Sequence, residues 1–250
     1  MKKILLVLGV LGTAFCANAQ TQPSTKPEQG SIAETKVKKS DWEFQADPAL
    51  PNVLILGDSI SIGYTLGVRK ALAGKANVYR PMARNQPANC SGTTAGVNQI
   101  EHWLGSGKWH VIHFNWGLHD LKHVETPGSS KNSDNPADPQ QATVEQYASN
   151  LRRIVTRLQA TGAKLIFATT TPVAPGTSKP AREPEAPPQY NAAALEIMKT
   201  HGIRVNDLFA FCSPQLEKLQ LPKNVHFTPT GSEALAGQVA KVIQEELQSK

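Results

Sequence analysis

Short apolar runs alternate with helical periodicity along most of this chain. Five runs predict buried strands, at 53–56, 77–79, 109–116, 165–168 and 203–209. Apolar positions recur at helical spacing from Val144 to Leu158, and further helices are predicted at 61–72, 97–104, 190–200 and 229–247. Strands that are apolar throughout and separated by helices indicate a parallel sheet covered on both faces. The pattern predicts a three-layer α/β/α sandwich built on a five-stranded parallel sheet.

The first 41 residues follow a different pattern. Lys2 and Lys3 precede an apolar stretch at 4–15, and Ala17-Asn18-Ala19 then supplies small residues at the spacing of a signal-peptide cleavage site. That stretch is shorter than the about 20 residues that span a bilayer, so no stable membrane insertion is predicted. We therefore expect a signal peptide at 1–19, cleaved after Ala19, with export to the periplasm or the medium. A disordered polar linker is expected at 20–41 and one domain at 42–250.

Charge and cysteine content add little to the choice of function. The formal charge of +6 comes from 26 basic and 20 acidic residues that are spread along the chain, which gives no support to nucleic-acid binding. Once the signal peptide is removed, Cys90 and Cys212 are the cysteines that remain. An exported protein could join them in a disulfide, but they could equally stay independent.

Two side chains with nucleophilic chemistry fall at the same predicted edge of the sheet. Ser59 follows the first strand and begins a helix, where the positive end of the helix dipole would stabilise a developing oxyanion. His226 precedes the last helix, after the fifth strand. Ligands bind beyond the C-terminal ends of parallel strands, so the two residues form a candidate nucleophile and base. Ser59 could otherwise serve only as a helix cap.

Four short blocks, in this order, make the chain resemble the SGNH/GDSL hydrolases from about residue 51 to residue 247. That family has a G-D-S block after its first strand, a glycine block after its second, a G-x-N-D block after its third and a D-x-x-H block before its last helix. The blocks here are Gly57-Asp58-Ser59, Ser91-Gly92-Thr93-Thr94, Gly117-Leu118-His119-Asp120 and Lys223-Asn224-Val225-His226. The resemblance implies the flavodoxin-like arrangement of the SGNH fold.

The resemblance also implies a role for each matching residue. Ser59 would attack an ester carbonyl, with His226 as its general base. The N–H groups of Ser59 and Gly92, together with the side chain of His119, would hold the oxyanion. Asp58 would act as a structural brace only.

Two residues depart from the family pattern. His119 stands where the family has its oxyanion asparagine, and a neutral imidazole can still donate one N–H. Lys223 stands at the position of the triad aspartate and cannot accept a proton from an imidazole. His226 would then be oriented by a backbone carbonyl, giving a Ser–His dyad, or by another carboxylate. Asp207 and Asp120 are the candidates by topology, and the sequence does not decide between them.

A cluster of histidines raises a metal site as an alternative. His110, His113, His119 and His123 fall close together, but His110 and His113 are three apart on a strand and so face opposite sides of the sheet. We therefore predict no metal site and no cofactor.

The leading hypothesis is an exported serine esterase that hydrolyses small acyl esters, chiefly acetyl esters, on carbohydrates. The ester chemistry follows from the pairing of Ser59 with His226. The carbohydrate substrate rests on export, on polar loops such as 126–140 and 172–188, and on analogy with exported family members. A non-catalytic carbohydrate-binding relative and an acyltransferase of the same fold are the alternatives.

Overall fold

The computed structural model describes residues 41–249. The predicted signal peptide, and the predicted linker except its last residue, lie outside the described residues. In residues 41–249, no helix combines the length and apolar character needed to cross a membrane.

The described residues form seven strands, five of them in one parallel sheet. The strands are β1 Asn52–Leu56, β2 Asn77–Tyr79, β3 Met82–Ala83, β4 Gln86–Pro87, β5 Val111–Phe114, β6 Lys164–Ala168 and β7 Arg204–Asn206. The large sheet has the order β2-β1-β5-β6-β7, and all its neighbours are parallel. β3 and β4 make a separate antiparallel hairpin that the apolar pattern did not predict, since its residues are mostly exposed.

Helices cover both faces of the sheet. They are α1 Ser59–Ala71, α2 Thr93–Leu104, α3 Val144–Gln159, α4 Ala186–Thr200, α5 Leu208–Cys212, α6 Leu216–Leu219 and α7 Pro229–Gln248. α1 packs against α7, while α3 packs against α2 and α4. This arrangement confirms the predicted three-layer sandwich and its five parallel strands.

Several boundaries differ from the predictions. α1, α2 and α4 begin at Ser59, Thr93 and Ala186, earlier than predicted, because their first turns are dominated by Ser, Thr, Ala, Gly or Pro, which show no apolar periodicity. The third predicted strand, at 109–116, is confined to Val111–Phe114. The fifth strand of the sheet, β7, ends at Asn206 rather than continuing to residue 209. The Asp207 carboxylate accepts a hydrogen bond from Ala210 N and so begins the short helix α5.

The core is built on the central strands. Residues 53–56 of β1 and the apolar side chains of β5 are almost completely buried. Trp116 is also fully buried and stacks on Trp103 with 6.3 Å between ring centroids, so its role is packing. Cys90 and Cys212 are free thiols, each buried in this core.

Glycines turn the chain at the C-terminal edge of the sheet. Gly57 follows β1 with φ 155°, and Gly117 follows β5 with φ 153°, conformations that side-chain-bearing residues rarely adopt. Space is short as well, because a Cβ at Gly117 would lie 1.9 Å from Thr170 Oγ1. These tight turns bring the residues that follow them onto one edge of the sheet.

Candidate active site

Ser59 and His226 are brought together across 167 residues of sequence. Ser59 is the first residue of α1, and its Oγ lies 2.9 Å from His226 Nε2. His226 is exposed and lies in the segment between α6 and α7, where Val225 anchors the chain in the core. The separation suits direct transfer of the hydroxyl proton to the imidazole.

The imidazole of His226 is oriented by Asn224. Asn224 Oδ1 lies 3.0 Å from the backbone N of His226, which can only donate, so this atom of the amide must be the oxygen. The same oxygen lies 2.8 Å from His226 Nδ1 and therefore accepts the Nδ1 proton. Nε2 is then left unprotonated and accepts from the Ser59 hydroxyl. Asn224 thus selects the tautomer that a general base requires.

Asn224 answers the question that the sequence left open about the partner of His226. Asp207 does not contact the imidazole, because its carboxylate accepts from Ala210 N and from Thr169 Oγ1. Asp120 does not contact it either, because its carboxylate accepts from Thr93. Both expectations of an orienting carboxylate are corrected: the group beside Nδ1 is a neutral amide.

Backbone N–H groups suited to an oxyanion are present at two helix N-termini. Ser59 is the first residue of α1, so its N–H has no acceptor within that helix. Gly92 is the N-cap of α2. Because a Cβ at Gly92 would lie 3.2 Å from Asp120 Oδ1, glycine lets this loop lie directly on the Asp120 carboxylate.

Asp120 anchors the Gly92 loop from below. Its Oδ1 accepts from Thr93 N at 2.8 Å and also from the Thr93 hydroxyl, at the start of α2. Burial raises the pKa of Asp120 to about 7, although the hydrogen bonds from Thr93 act in the opposite direction. The residue that sequence reasoning offered as an alternative partner for His226 therefore braces the second block.

His119 lines two adjoining cavities, one shared with Ser59 and His226 and the other shared with Gly92. Burial lowers the pKa of His119 to about 4, and neighbouring Lys122 and Arg182 lower it further while Asp58 opposes them. The imidazole is therefore neutral near pH 7 and carries one N–H that it can donate. This placement suits the oxyanion role that the resemblance implies for it.

The backbone before Ser59 is fixed from two sides. The Asp58 carboxylate caps α1 by accepting from Ile60 N at 2.9 Å. On the inner side, the buried guanidinium of Arg80 donates to the carbonyls of Gly57 and Asp58 and, at 2.9 Å, to that of Ala88. Arg80 also reaches Ser61 Oγ at 2.7 Å. Neither Arg80 nor Asn224 was among the functional residues expected from the sequence.

The cavity over Ser59 has a volume of about 630 Å³, within the range of small-ligand sites. Neutral polar groups on its wall include Asn89, Asn132, Thr177 and Ser178. Across residues 41–249, no group of three or more histidine, cysteine or acidic side chains is arranged to hold a metal ion.

A family model described as the GDSL-like lipase/acylhydrolase family matches residues 55–234 of the chain. The chain belongs to this family. The match spans the three blocks that begin at Gly57, Ser91 and Gly117, and it also includes His226. None of the curated proteins matches the chain in a sequence search.

Solved structures share the fold of this GDSL-family chain at low sequence identity. The lipase/acylhydrolase from Enterococcus faecalis is 19% identical with a TM-score of 0.62, covering 80% of this chain and 98% of its own. The acetyl xylan esterase AlAXEase is 13% identical with a TM-score of 0.60, covering 77% and 99%. A catalytic mutant of an acetylxylan esterase from Geobacillus stearothermophilus is 15% identical with a TM-score of 0.60, covering 80% and 95%.

Proposed function

We propose that this GDSL-family chain is an exported serine esterase that removes acetyl groups from carbohydrates. The observation that carries the proposal is the 2.9 Å contact between Ser59 Oγ and His226 Nε2 at the wall of an open cavity. An unprotonated Nε2 facing a serine hydroxyl is the arrangement that activates oxygen as a nucleophile.

Acylation follows from this geometry. Ser59 Oγ attacks the ester carbonyl carbon while its proton passes to His226 Nε2, and the carbonyl oxygen becomes an oxyanion. The N–H groups of Ser59 and Gly92 and the side chain of His119 are the donors for that oxyanion. The tetrahedral intermediate then expels the sugar oxygen, which takes the proton from Nε2 and leaves as an alcohol.

Deacylation repeats these steps with water. A water molecule gives its proton to His226 Nε2 and attacks the acetyl-serine carbonyl. The second tetrahedral intermediate collapses, Ser59 recovers the proton from His226, and acetic acid leaves and ionises to acetate in solution. Each time the imidazole becomes an imidazolium, Asn224 Oδ1 offers it the dipole of an amide and not the charge of a carboxylate.

Two further observations support acetyl esters of carbohydrates as the substrate. Two of the similar structures carry the name of acetyl xylan esterases. The cavity wall also offers neutral polar side chains, among them Asn89 and Asn132, which could hydrogen-bond sugar hydroxyls. The proposal of export rests on the basic, apolar and small-residue pattern that ends at Ala19.

The test is a comparison of the parent chain with Ser59→Ala and His226→Ala on p-nitrophenyl acetate. Both variants are expected to lose all but a small residue of the parent's activity, because each removes one partner of the proton transfer. If the parent hydrolyses p-nitrophenyl acetate no faster than Ser59→Ala, the proposal of a serine esterase is wrong. Release of acetate from acetylated xylan then tests the carbohydrate part, with deacetylated xylan as the blank.

A further inference from the structure

The wall of the cavity over Ser59 is strongly cationic. Four basic side chains line it, and they are Lys122, Lys179, Arg182 and Lys223. The acidic residue among the lining residues is Asp58, whose carboxylate caps α1. A cavity with this balance attracts anions and repels cations.

Two of these cations are buried without an anionic partner. Lys122 is 6% exposed and Arg182 is 8% exposed. Arg182 Nε donates to the carbonyl of Leu118 at 2.8 Å. Within residues 41–249, neither the terminal nitrogens of Arg182 nor Lys122 Nζ makes a further hydrogen bond or an ion pair.

Burial without a partner is unfavourable for both side chains. Burial lowers the pKa of Arg182 to about 10, while the nearby Asp58 carboxylate acts in the opposite direction. The pKa of Lys122 is lowered as well, first by burial and then by the nearby Arg182, and the Asp120 carboxylate opposes this. Buried charges in proteins are normally paired, because their lost hydration must be replaced. Neither carboxylate forms an ion pair with these cations within residues 41–249, so an anion in the cavity would supply their closest counter-charge.

Other arginines that are buried or partly buried in the described residues have protein acceptors. The buried Arg80 donates to backbone carbonyls. Arg204 is partly buried on the sheet and forms ion pairs with Glu245 and Glu246. The chain thus supplies carboxylates for a partly buried arginine elsewhere, but none pairs with Arg182 or Lys122.

We propose that the substrate carries a carboxylate close to its acyl ester, as an acetylated uronic-acid unit of an acidic polysaccharide does. Arg182 and Lys122 would bind this carboxylate inside the cavity, and the exposed Lys179 and Lys223 would attract it at the rim. A guanidinium fork matches the two oxygens of a carboxylate, whereas a neutral sugar would leave both buried cations unpaired. The inference rests on the proposed function and names the substrate class of the same site.

Binding without turnover tests this inference. The Ser59→Ala chain is titrated with trigalacturonate and with its fully methyl-esterified form, which has the same sugars but no charge. We expect the acid to bind at least about tenfold more tightly, since hydrogen bonds to charged groups are the stronger ones. Equal affinity for the acid and the ester would overturn the inference.

Substitutions of the basic cavity residues test whether the preference for the acid arises in this cavity. Adding Arg182→Gln to Ser59→Ala should reduce the preference for the acid to about two- to threefold, while Arg153→Gln, an equal change of charge on the exposed surface of α3, should leave it intact. If Arg182→Gln does not fold, Lys179→Gln and Lys223→Gln alter exposed side chains, and each should weaken the preference severalfold. A preference unchanged in every foldable cavity variant would overturn the inference.

The result can be separated from that of the esterase test. A chain that hydrolyses p-nitrophenyl acetate through Ser59 but binds acid and ester equally would keep the proposed function and reject this inference. A chain without esterase activity that prefers the acid, in a way that depends on the cavity cations, would reject the proposed function and support the carboxylate site.

Discussion

Ser59 and His226 meet at the same cavity, but the chain supports them by different means. On the serine side, the backbone is capped by Asp58, held by the buried Arg80 and turned by a glycine in a conformation that other residues rarely adopt. On the histidine side, the imidazole is exposed. Apart from Ser59 Oγ, the group within residues 41–249 that bonds the ring is Asn224 Oδ1, two residues away.

The difference separates a position fixed by tertiary structure from one fixed by a local turn. The carbonyls before Ser59 are bonded to a residue 22 or 23 positions away in the sequence, so the loop cannot move without breaking buried bonds. The contact between Asn224 and His226 is confined to a single turn. We therefore expect changes on the serine side to affect folding or oxyanion binding, and changes on the histidine side to affect proton transfer alone.

Among variants that keep both Ser59 and His226, removing His119 should produce the largest loss of activity. His119→Ala takes away the side chain proposed as an oxyanion donor, and losing one such donor costs about 2.7–4 kcal/mol, or roughly 10²–10³ in kcat. Steady-state kinetics on p-nitrophenyl acetate would show the loss in kcat with little change in KM.

His119→Asn is the matched control, because it places the family's usual donor at this position. It should retain most of the parent's kcat. If the kcat of His119→Ala instead equals that of the parent, His119 is not an oxyanion donor.

Removing Arg80 should lower the stability of the folded chain. Arg80→Met removes the bonds to the carbonyls of Gly57, Asp58 and Ala88 and to Ser61 Oγ, although the Gly57 carbonyl keeps its bond from Cys90 N. The loss should lower the free energy of unfolding by about 3 kcal/mol. For a chain of this size, the midpoint of thermal unfolding should fall by roughly 6–12 °C.

The control is Arg69→Met, which alters a more exposed arginine that bonds the Val78 carbonyl and stacks on Phe44. Its destabilisation should be clearly smaller than that of Arg80→Met. An Arg80→Met midpoint equal to that of the parent would mean that the hydrogen bonds of Arg80 add nothing to the stability of the serine side.

The same contrast explains what the sequence could predict. The apolar strands and Ser59 were predictable because buried parallel strands leave a clear pattern, and a nucleophile at a strand end is a property of topology. Arg80 was missed because one arginine near a short strand looks like any surface residue. Its burial depends on bonds to the carbonyls of Gly57 and Asp58, which precede it by 23 and 22 residues.

Asn224 was missed for another reason. The family pattern directed attention to Lys223, whose backbone is left-handed with φ 53° and whose side chain is exposed. The signal lay one residue further on, since an asparagine often accepts from the backbone N–H two residues later. The turn that this bond forms also brings Asn224 Oδ1 beside the imidazole of His226. The spacing of the two residues is compatible with this contact but does not require it.

Changing Asn224 should affect proton transfer and leave stability almost unchanged. Asn224→Ala frees His226 Nδ1 and allows the wrong tautomer, so kcat should fall by about tenfold to a hundredfold. The thermal midpoint should stay close to that of the parent, because Asn224 is half-exposed and its bonds are local.

Asn224→Asp is the informative partner of this variant. A carboxylate at the same position would still accept from Nδ1 and would stabilise the imidazolium by its charge, so kcat should equal or exceed that of the parent. A fall in kcat as large as that of Asn224→Ala would show that the amide has a role beyond accepting the proton.

The last effect concerns the pH dependence of stability in the buried sheet next to the serine side. His113 lies in β5, fully buried, and burial lowers its pKa to about 3. Its unfolded form takes up a proton below about pH 6.5 while the folded form does not, so stability is unaffected above that pH and is lost as the pH falls towards 3. Asp120 acts in the opposite sense, because its raised pKa of about 7 makes the folded chain lose stability as the pH rises from 4 to 7.

His113→Gln removes the pH dependence that is due to His113 and keeps the one that is due to Asp120. The difference in unfolding free energy between parent and variant, measured by urea titration, should be constant above pH 7. As the pH falls from 6.5 to 4, it should shift in favour of the variant by up to about 1.4 kcal/mol per pH unit. If the difference stays constant across that range, His113 is protonated in the folded chain. The interior of the sheet around His113 would then admit a proton in the folded chain, unlike the buried core described above.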